Sequence, residues 1–285
     1  MTTLLRRRQL LTAVSAAGCL DAIECCLDHA VAASVLAARG NLETHGDVLH
    51  RGNSKLGPII HTFSLPAITT CPGRTARCEG VCYADRGYFY MANVQESLAA
   101  NHAASLKPNF VAKIVREIKQ RRVRILRIHV SGDFYGIGYA RKWVEIAQRC
   151  RSTVFKCNTR SWRRRDILPG IRELSKLPNT RIWLSADAES HEINGKPPQM
   201  RGARVAYMVI DDDEFVPAYA DVVLRDKPQT IQKYRQGRLV CPTENGIHYP
   251  FKMTCSDCGV CYRQQAVPKK PRDYSSHGQT TCAAS

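Results

Sequence analysis

The chain has no apolar run of the roughly 20 residues that a membrane-spanning helix needs. The apolar stretch near the start, Thr12 to Leu20, is cut off by Asp21, Glu24 and Asp28, so no membrane association is expected. Repeats and low-complexity tracts are also missing, and with 44% apolar and 24% charged residues a soluble, packed globular protein is the expectation. Acid is scarce. Against 42 Lys and Arg stand 25 Asp and Glu, for a formal net charge of +17. That imbalance suits nucleic acid or another polyanion as partner, and suits equally well a basic soluble surface. Local clusters occur only at Arg160-Ser161-Trp162-Arg163-Arg164-Arg165 and Lys269-Lys270-Pro271-Arg272.

Cysteine is what the chain has in excess. Of 13 cysteines, seven fall into two compact groups with metal-ligand spacing, which favours reduced thiols and a cytoplasmic location. The start, Arg6-Arg7-Arg8-Gln9-Leu10-Leu11, resembles a twin-arginine export signal, the alternative to that location. The first group is Cys71, Cys78 and Cys82, spaced C-x6-C-x3-C directly after the β-branched segment Ile59–Leu65. Pro72, Gly73 and Gly80 let that loop fold round a single centre. Zinc prefers tight C-x2–4-C pairs, so a [4Fe-4S] cluster held by three cysteines, with one iron open, fits this trio better. The second group, Cys241, Cys255, Cys258 and Cys261, contains the C-x2-C-x2-C run of ferredoxins but equally the C-x2-C of a zinc knuckle. Four thiolates close either centre.

Residues 1–46 are rich in Ala, Leu and Val and are expected to form a helical appendage or targeting segment. From residue 59 short β-branched runs alternate with amphipathic ones, the pattern of repeated βα units. Strands are expected at 59–65, 123–130, 153–157, 181–185, 205–210 and 222–224, and helices at 91–106, 109–120, 139–149, 166–177 (dented by Pro169-Gly170) and 229–235. The core is taken as 47–238 and a cysteine-rich tail domain as 239–285. Six strands with intervening helices predict an α/β fold with a parallel sheet, read as a partial (βα)6-type barrel. Ligands collect at the C-terminal ends of such strands, where the cysteine loop, Ser131-Gly132-Asp133, Arg160, Ser185 and Asp187 all fall. His129 reads as a core histidine.

Two resemblances follow from these motifs. Gly52-Asn53-Ser54-Lys55-Leu56-Gly57, Thr62-Phe63-Ser64-Leu65-Pro66-Ala67, Thr70-Cys71-Pro72-Gly73, Cys82-Tyr83-Ala84 and His129-Val130-Ser131-Gly132-Asp133-Phe134 together resemble the gene product 88 family of phages and mobile elements. More distantly, a strand, a three-cysteine loop and βα repeats in that order resemble the radical S-adenosylmethionine (SAM) superfamily, although its commonest spacing is C-x3-C-x2-C. That likeness implies a [4Fe-4S] cluster on Cys71, Cys78 and Cys82 whose open iron takes the amino and carboxylate groups of SAM. It also implies an electron donor and release of a 5′-deoxyadenosyl radical. Ser131, Gly132 and Asp133 would then meet the methionyl amino group, Ser185 and Asp187 the ribose or carboxylate, and Arg160 an anionic group. The expected function is thus an iron–sulfur protein, radical-SAM-like, acting on a substrate the sequence does not name. The alternative is a nucleic-acid-binding module stabilised by zinc or an inert cluster.

Overall fold

The computed structural model describes residues 47–226 and 230–263; the expected helical appendage at 1–46 and the part of the expected cysteine-rich tail after 263 lie outside the described residues. After a short edge strand β1 (His50–Arg51) and strand β2 (Ile60–Phe63) comes the cysteine loop with its one-turn helix α1 (Ala76–Gly80). Helices α2 (Ala92–Leu106) and α3 (Phe110–Gln120) lead to β3 (Ile125–Ile128). Then α4 (Ile137–Arg149), β4 (Val154–Thr159), α5 (Leu168–Ser175), β5 (Thr180–Ala186), α6 (Ala188–Asn194), β6 (Ala203–Val209) and β7 (Val222–Arg225) follow in alternation. The described residues end in a hairpin, β8 (Tyr234–Arg235) and β9 (Arg238–Val240), and one turn of helix, α7 (Cys255–Cys258).

All six expected strands are present and run parallel, in the consecutive order β2-β3-β4-β5-β6-β7, followed by β9 and β8. Such an order is that of a barrel segment, since a doubly wound sheet reverses direction part-way. The sheet nevertheless stays open. Its edges are the antiparallel strands β1 and β8, and closure needs the first and last strands to pair with each other. The expected α/β fold with a parallel sheet is present as an open, mostly parallel nine-stranded sheet that does not close.

Right-handed crossovers in a consecutive order put the helices on one face. On that face Phe63, Leu126, Ile128, Phe155, Cys157, Ile182, Leu184 and Tyr207 pack with Phe110, Ile114, Trp143, Ile146 and Ile171 of the helices. Phe63, Phe110 and Trp143 meet edge to face with centroids 5.4–5.8 Å apart. Gly170 sits where a Cβ would come within 2.9 Å of the Ala140 Cβ, which lets α4 and α5 approach closely. Pro169 does not dent α5 as the sequence suggested. It lies in the first turn, where a missing N–H is no loss.

The helix expected at 229–235 is absent from residues 230–235. Gln236 and Gly237 both have positive φ, 45° and 74°, and pair Tyr234 with Leu239 and Arg235 with Arg238. Two consecutive left-handed residues make the type of turn that matches strand twist, so this segment is a hairpin.

The other sheet face carries none of the crossover helices. Register brings Thr62, Arg127, Lys156 and Arg181 into one row and Asn158, Trp183 and Arg204 into the next. Residues 241–263 cover it. Arg181 Nε donates to the Tyr262 carbonyl (3.1 Å), Trp183 Nε1 to Cys261 O (3.1 Å) and Arg204 Nη2 to Val260 O (3.3 Å). The amides of Cys255 and Ser256 donate to Lys55 O and Leu56 O at 2.8 and 3.0 Å, so the tail reaches back to the loop before β2. Among the described residues no helix is long and apolar enough to cross a membrane.

Candidate metal centres at the sheet rim and beneath the tail

The cysteine loop is fastened to the C-terminal ends of β3, β4 and β5. Thr75 caps α1, its hydroxyl accepting from Cys78 N at 3.0 Å and donating to Asp187 Oδ2 at 2.8 Å. Glu189 accepts from Ala76 N and Arg77 N, and Arg163 Nη1 donates to the carbonyls of Gly73 and Arg74. Gly73 packs so tightly that a Cβ would stand 2.2 Å from Arg160 O. Gly73→Ala should therefore push the loop off β4, costing about 1–3 kcal/mol. A denaturant midpoint equal to that of the parent would refute this.

Each rim residue singled out in the sequence has a definite place. Ser131 Oγ donates to Leu65 O at 2.7 Å. Gly132 has φ +79°, and a Cβ there would lie 2.6 Å from both Leu65 Cβ and Thr70 Oγ1, so packing occupies the space a ligand would need. Asp133 accepts from the amides of Phe134 (2.7 Å), Arg160 (2.7 Å) and Ser161 (3.1 Å); burial nonetheless pushes its carboxyl above the usual range. It ties the β3 end to the β4 end. Asp187 caps α6 by accepting from Ser190 N (2.7 Å) and takes Arg160 Nη1 at 2.6 Å. Burial works against its charge, but Arg160, Ser190 and Thr75 outweigh it and hold the carboxyl below its usual value. Ser185 is half-buried on the tail-side face, with no side-chain hydrogen bond.

His129 closes β3 in a left-handed conformation, φ 63°. Its Nε2 pairs with Tyr139 Oη at 2.8 Å, Nδ1 has no partner, and burial, with Arg127 beside it, lowers its pKa to about 3. A core histidine, neutral at physiological pH, is what the sequence suggested.

Around the three loop thiols the charges are mixed. Burial pushes Cys71 up, and the Asp133 carboxylate adds to that, with Cys78 and Cys82 acting in the same sense. Cys78 is raised by burial while the Arg160 guanidinium opposes it. Arg160, already paired with Asp187, is thus the cation beside Cys78.

The tail group lies differently. Cys241, Cys255, Cys258 and Cys261 line a single cavity of about 30 Å³ together with Arg127, Lys156 and Tyr262. Helix α7 sets Cys255 and Cys258 one turn apart, and Gly259 in the left-handed region (φ 65°) turns the chain so that Cys261 returns. Burial pushes Cys241 up to about 12 and raises Cys255, the latter opposed by Arg127, Lys156 and Lys55. Lys156 is only 4% exposed, and burial with Arg127 nearby brings its pKa down to about 8. Arg127 Nε is buried without a partner. No carboxylate lines the cavity. Buried cations need anions; Arg127 has the Tyr83 and Tyr262 phenols and the Cys255 and Cys261 thiols around it, and Lys156 has Cys261 and Cys255. Among the described residues, no three His, Cys, Asp or Glu side chains form a group able to hold one metal ion.

An open α/β sheet with cysteines gathered at its rim and under its tail defines a cysteine-rich α/β protein. The chain belongs to the Gene product 88 family, whose profile matches residues 36–264. It is similar to the Gene 88 protein of Mycobacterium phage D29, 24% identical over 227 residues, or 74% of this chain and 85% of the relative. The Gene 88 protein of Mycobacterium phage L5 is also 24% identical, over 226 residues with the same coverage. No solved structure matches the chain.

Proposed function

We propose that the protein is an iron–sulfur protein with a closed four-cysteine centre beneath its tail and an open three-cysteine centre on the rim loop. The observation that carries this reading is Arg127 and Lys156 facing Cys241, Cys255, Cys258 and Cys261 across a cavity without a carboxylate. Four thiolates round a doubly positive cluster carry a net charge of −2, which two cations neutralise. The C-x2-C-x2-C run is shared with ferredoxins, and zinc is the rival occupant that metal analysis separates from a cluster. Such a centre, when bound, supplies electron transfer or folding free energy rather than a substrate site.

At the rim, Cys71, Cys78 and Cys82 would leave one coordination position for a small ligand, for which SAM is the candidate that the superfamily resemblance supplies. Asp133, Arg160 and Asp187 hold the loop in register with the strand ends. Ser185 and Asn158, on the tail-side face at the ends of β5 and β4, make no side-chain hydrogen bond among the described residues and are polar groups left to address a ligand.

The test is anaerobic reconstitution followed by iron, sulfide and zinc analysis, with spin resonance and chromatography for 5′-deoxyadenosine after reduction with SAM. Iron and sulfide in near-equal amounts are expected, and Cys258→Ser should remove one centre and lower the melting temperature. Protein that binds zinc alone, or no metal, would overturn the iron–sulfur reading. A full, reducible cluster that neither responds to SAM nor yields 5′-deoxyadenosine would leave an iron–sulfur protein of another kind.

A further inference from the structure

At the end of the sheet opposite the rim, a cleft of about 1060 Å³ opens between the entries to β5 and β6 and the turn before β7. Its lining includes Lys176, Arg181, Lys196, Arg201, Arg204 and Arg263. The single carboxylate among the lining residues, Asp221, accepts from Val205 N at 2.7 Å, and burial raises its pKa. Six cations thus face one carboxylate already engaged with the backbone. Arg181 and Arg204 are held by tail carbonyls, whereas Lys176, Lys196, Arg201 and Arg263 are exposed and make no side-chain hydrogen bond or ion pair among the described residues.

Like charges repel, so a concave surface that gathers four unpaired cations raises its own free energy until an anion arrives, and concavity focuses the field. A single nucleotide-sized ligand needs less room, since small-molecule pockets run to roughly 300–1,000 Å³. A duplex, whose major groove alone is about 12 Å wide, is too broad to enter. Tyr219 is the one aromatic in the lining, which limits base stacking and leaves the backbone to dominate.

We propose that this cleft binds the phosphate backbone of single-stranded nucleic acid, without sequence preference. The cleft lies at the other end of the strands from the rim centre and no cysteine lines it; Arg263 and Arg204 adjoin Cys258 and Cys261 of the tail, whereas Lys176, Lys196 and Arg201 lie outside the tail, and the test is made at Lys196 and Arg201.

Fluorescence anisotropy of full-length protein with labelled oligothymidylate, oligouridylate and a duplex of equal length tests it. Four phosphate contacts on a single strand predict a log–log salt slope of about −2.8, or about a 50-fold loss of affinity between 50 and 200 mM salt. Lys196→Glu with Arg201→Glu should halve that slope and weaken binding at least about 10-fold. Lys107→Glu with Arg151→Glu makes the same change in net charge at exposed sites outside the cleft and should leave the slope unaltered. Melting curves of both variants verify folding. Preference for DNA or for RNA among single strands would identify the source of the backbone. The proposal is overturned if both variants weaken binding equally, if duplex binds as tightly as single strand, if inorganic polyphosphate competes at equal affinity, or if no oligonucleotide binds.

Discussion

Asp187→Ala should be among the most damaging single substitutions in the described chain. The side chain is fully buried and serves three elements at once: it caps α6, holds the Thr75 hydroxyl of the cysteine loop and neutralises Arg160. Removing it strands a guanidinium that is itself 9% exposed. Breaking a buried pair from one side costs about 3–5 kcal/mol, and loss of the cap adds about 1 kcal/mol. Against a typical domain stability of about 5–15 kcal/mol, the variant should be partly unfolded or melt far lower, with Cys71, Cys78 and Cys82 more reactive to thiol reagents. The pH dependence gives a second check. A carboxyl held below its unfolded value adds stability above the unfolded pKa of about 3.9, and that contribution is lost as pH falls through the lower folded value. Parent and variant should therefore converge in stability in strong acid and diverge above about pH 4. A constant gap across that range would mean that Asp187 acts through shape and not charge.

Arg127→Met combined with Lys156→Met should separate metal binding from folding. Neither cation has a carboxylate partner at the cavity; burial lowers the Lys156 pKa, whereas at Arg127 burial is outweighed by Tyr83 and Tyr262, so apolar side chains of similar volume should change the stability of the metal-free protein little. The bound centre should lose its counter-charge, and outer groups of this kind are worth about 10–100-fold in metal affinity. Chelator competition reads the second effect and melting in excess chelator the first. Unchanged metal affinity would remove the charge argument for the four-cysteine centre; a large loss of metal-free stability would make the two cations structural.

The strands were legible because β-branched runs such as Ile59 to Leu65 and Val123 to Val130 have few alternatives, and their sequential spacing implied βα repeats. Segment 229–235 misled, since its polar composition suits a helix while the turn that decides the matter, Gln236-Gly237, lies just beyond it. Asp133, Asp187 and Arg160 were found by their position at strand ends, but their partners were not: whether a rim carboxylate meets a ligand or a neighbouring loop is fixed by packing. The register that sets Arg127 beside Lys156, beneath cysteines about a hundred residues later, is a tertiary fact without a local signal. The basic cleft was invisible for the same reason, its exposed cations coming from residues 176, 196, 201 and 263.

The tail's return to Lys55 and Leu56 has a consequence for the order in which the molecule is made. Each βα unit can dock on the one synthesised before it, because neighbours in the sheet are neighbours in the chain. The face bearing Arg127, Lys156, Trp183 and Arg204 has no such early partner. It stays wet until residues 255–262 leave the ribosome, some two hundred residues after the loop they fasten to. A chain broken off before Thr254 would lack the carbonyls that Arg181, Trp183 and Arg204 donate to and would leave that part of the cationic and aromatic face uncovered.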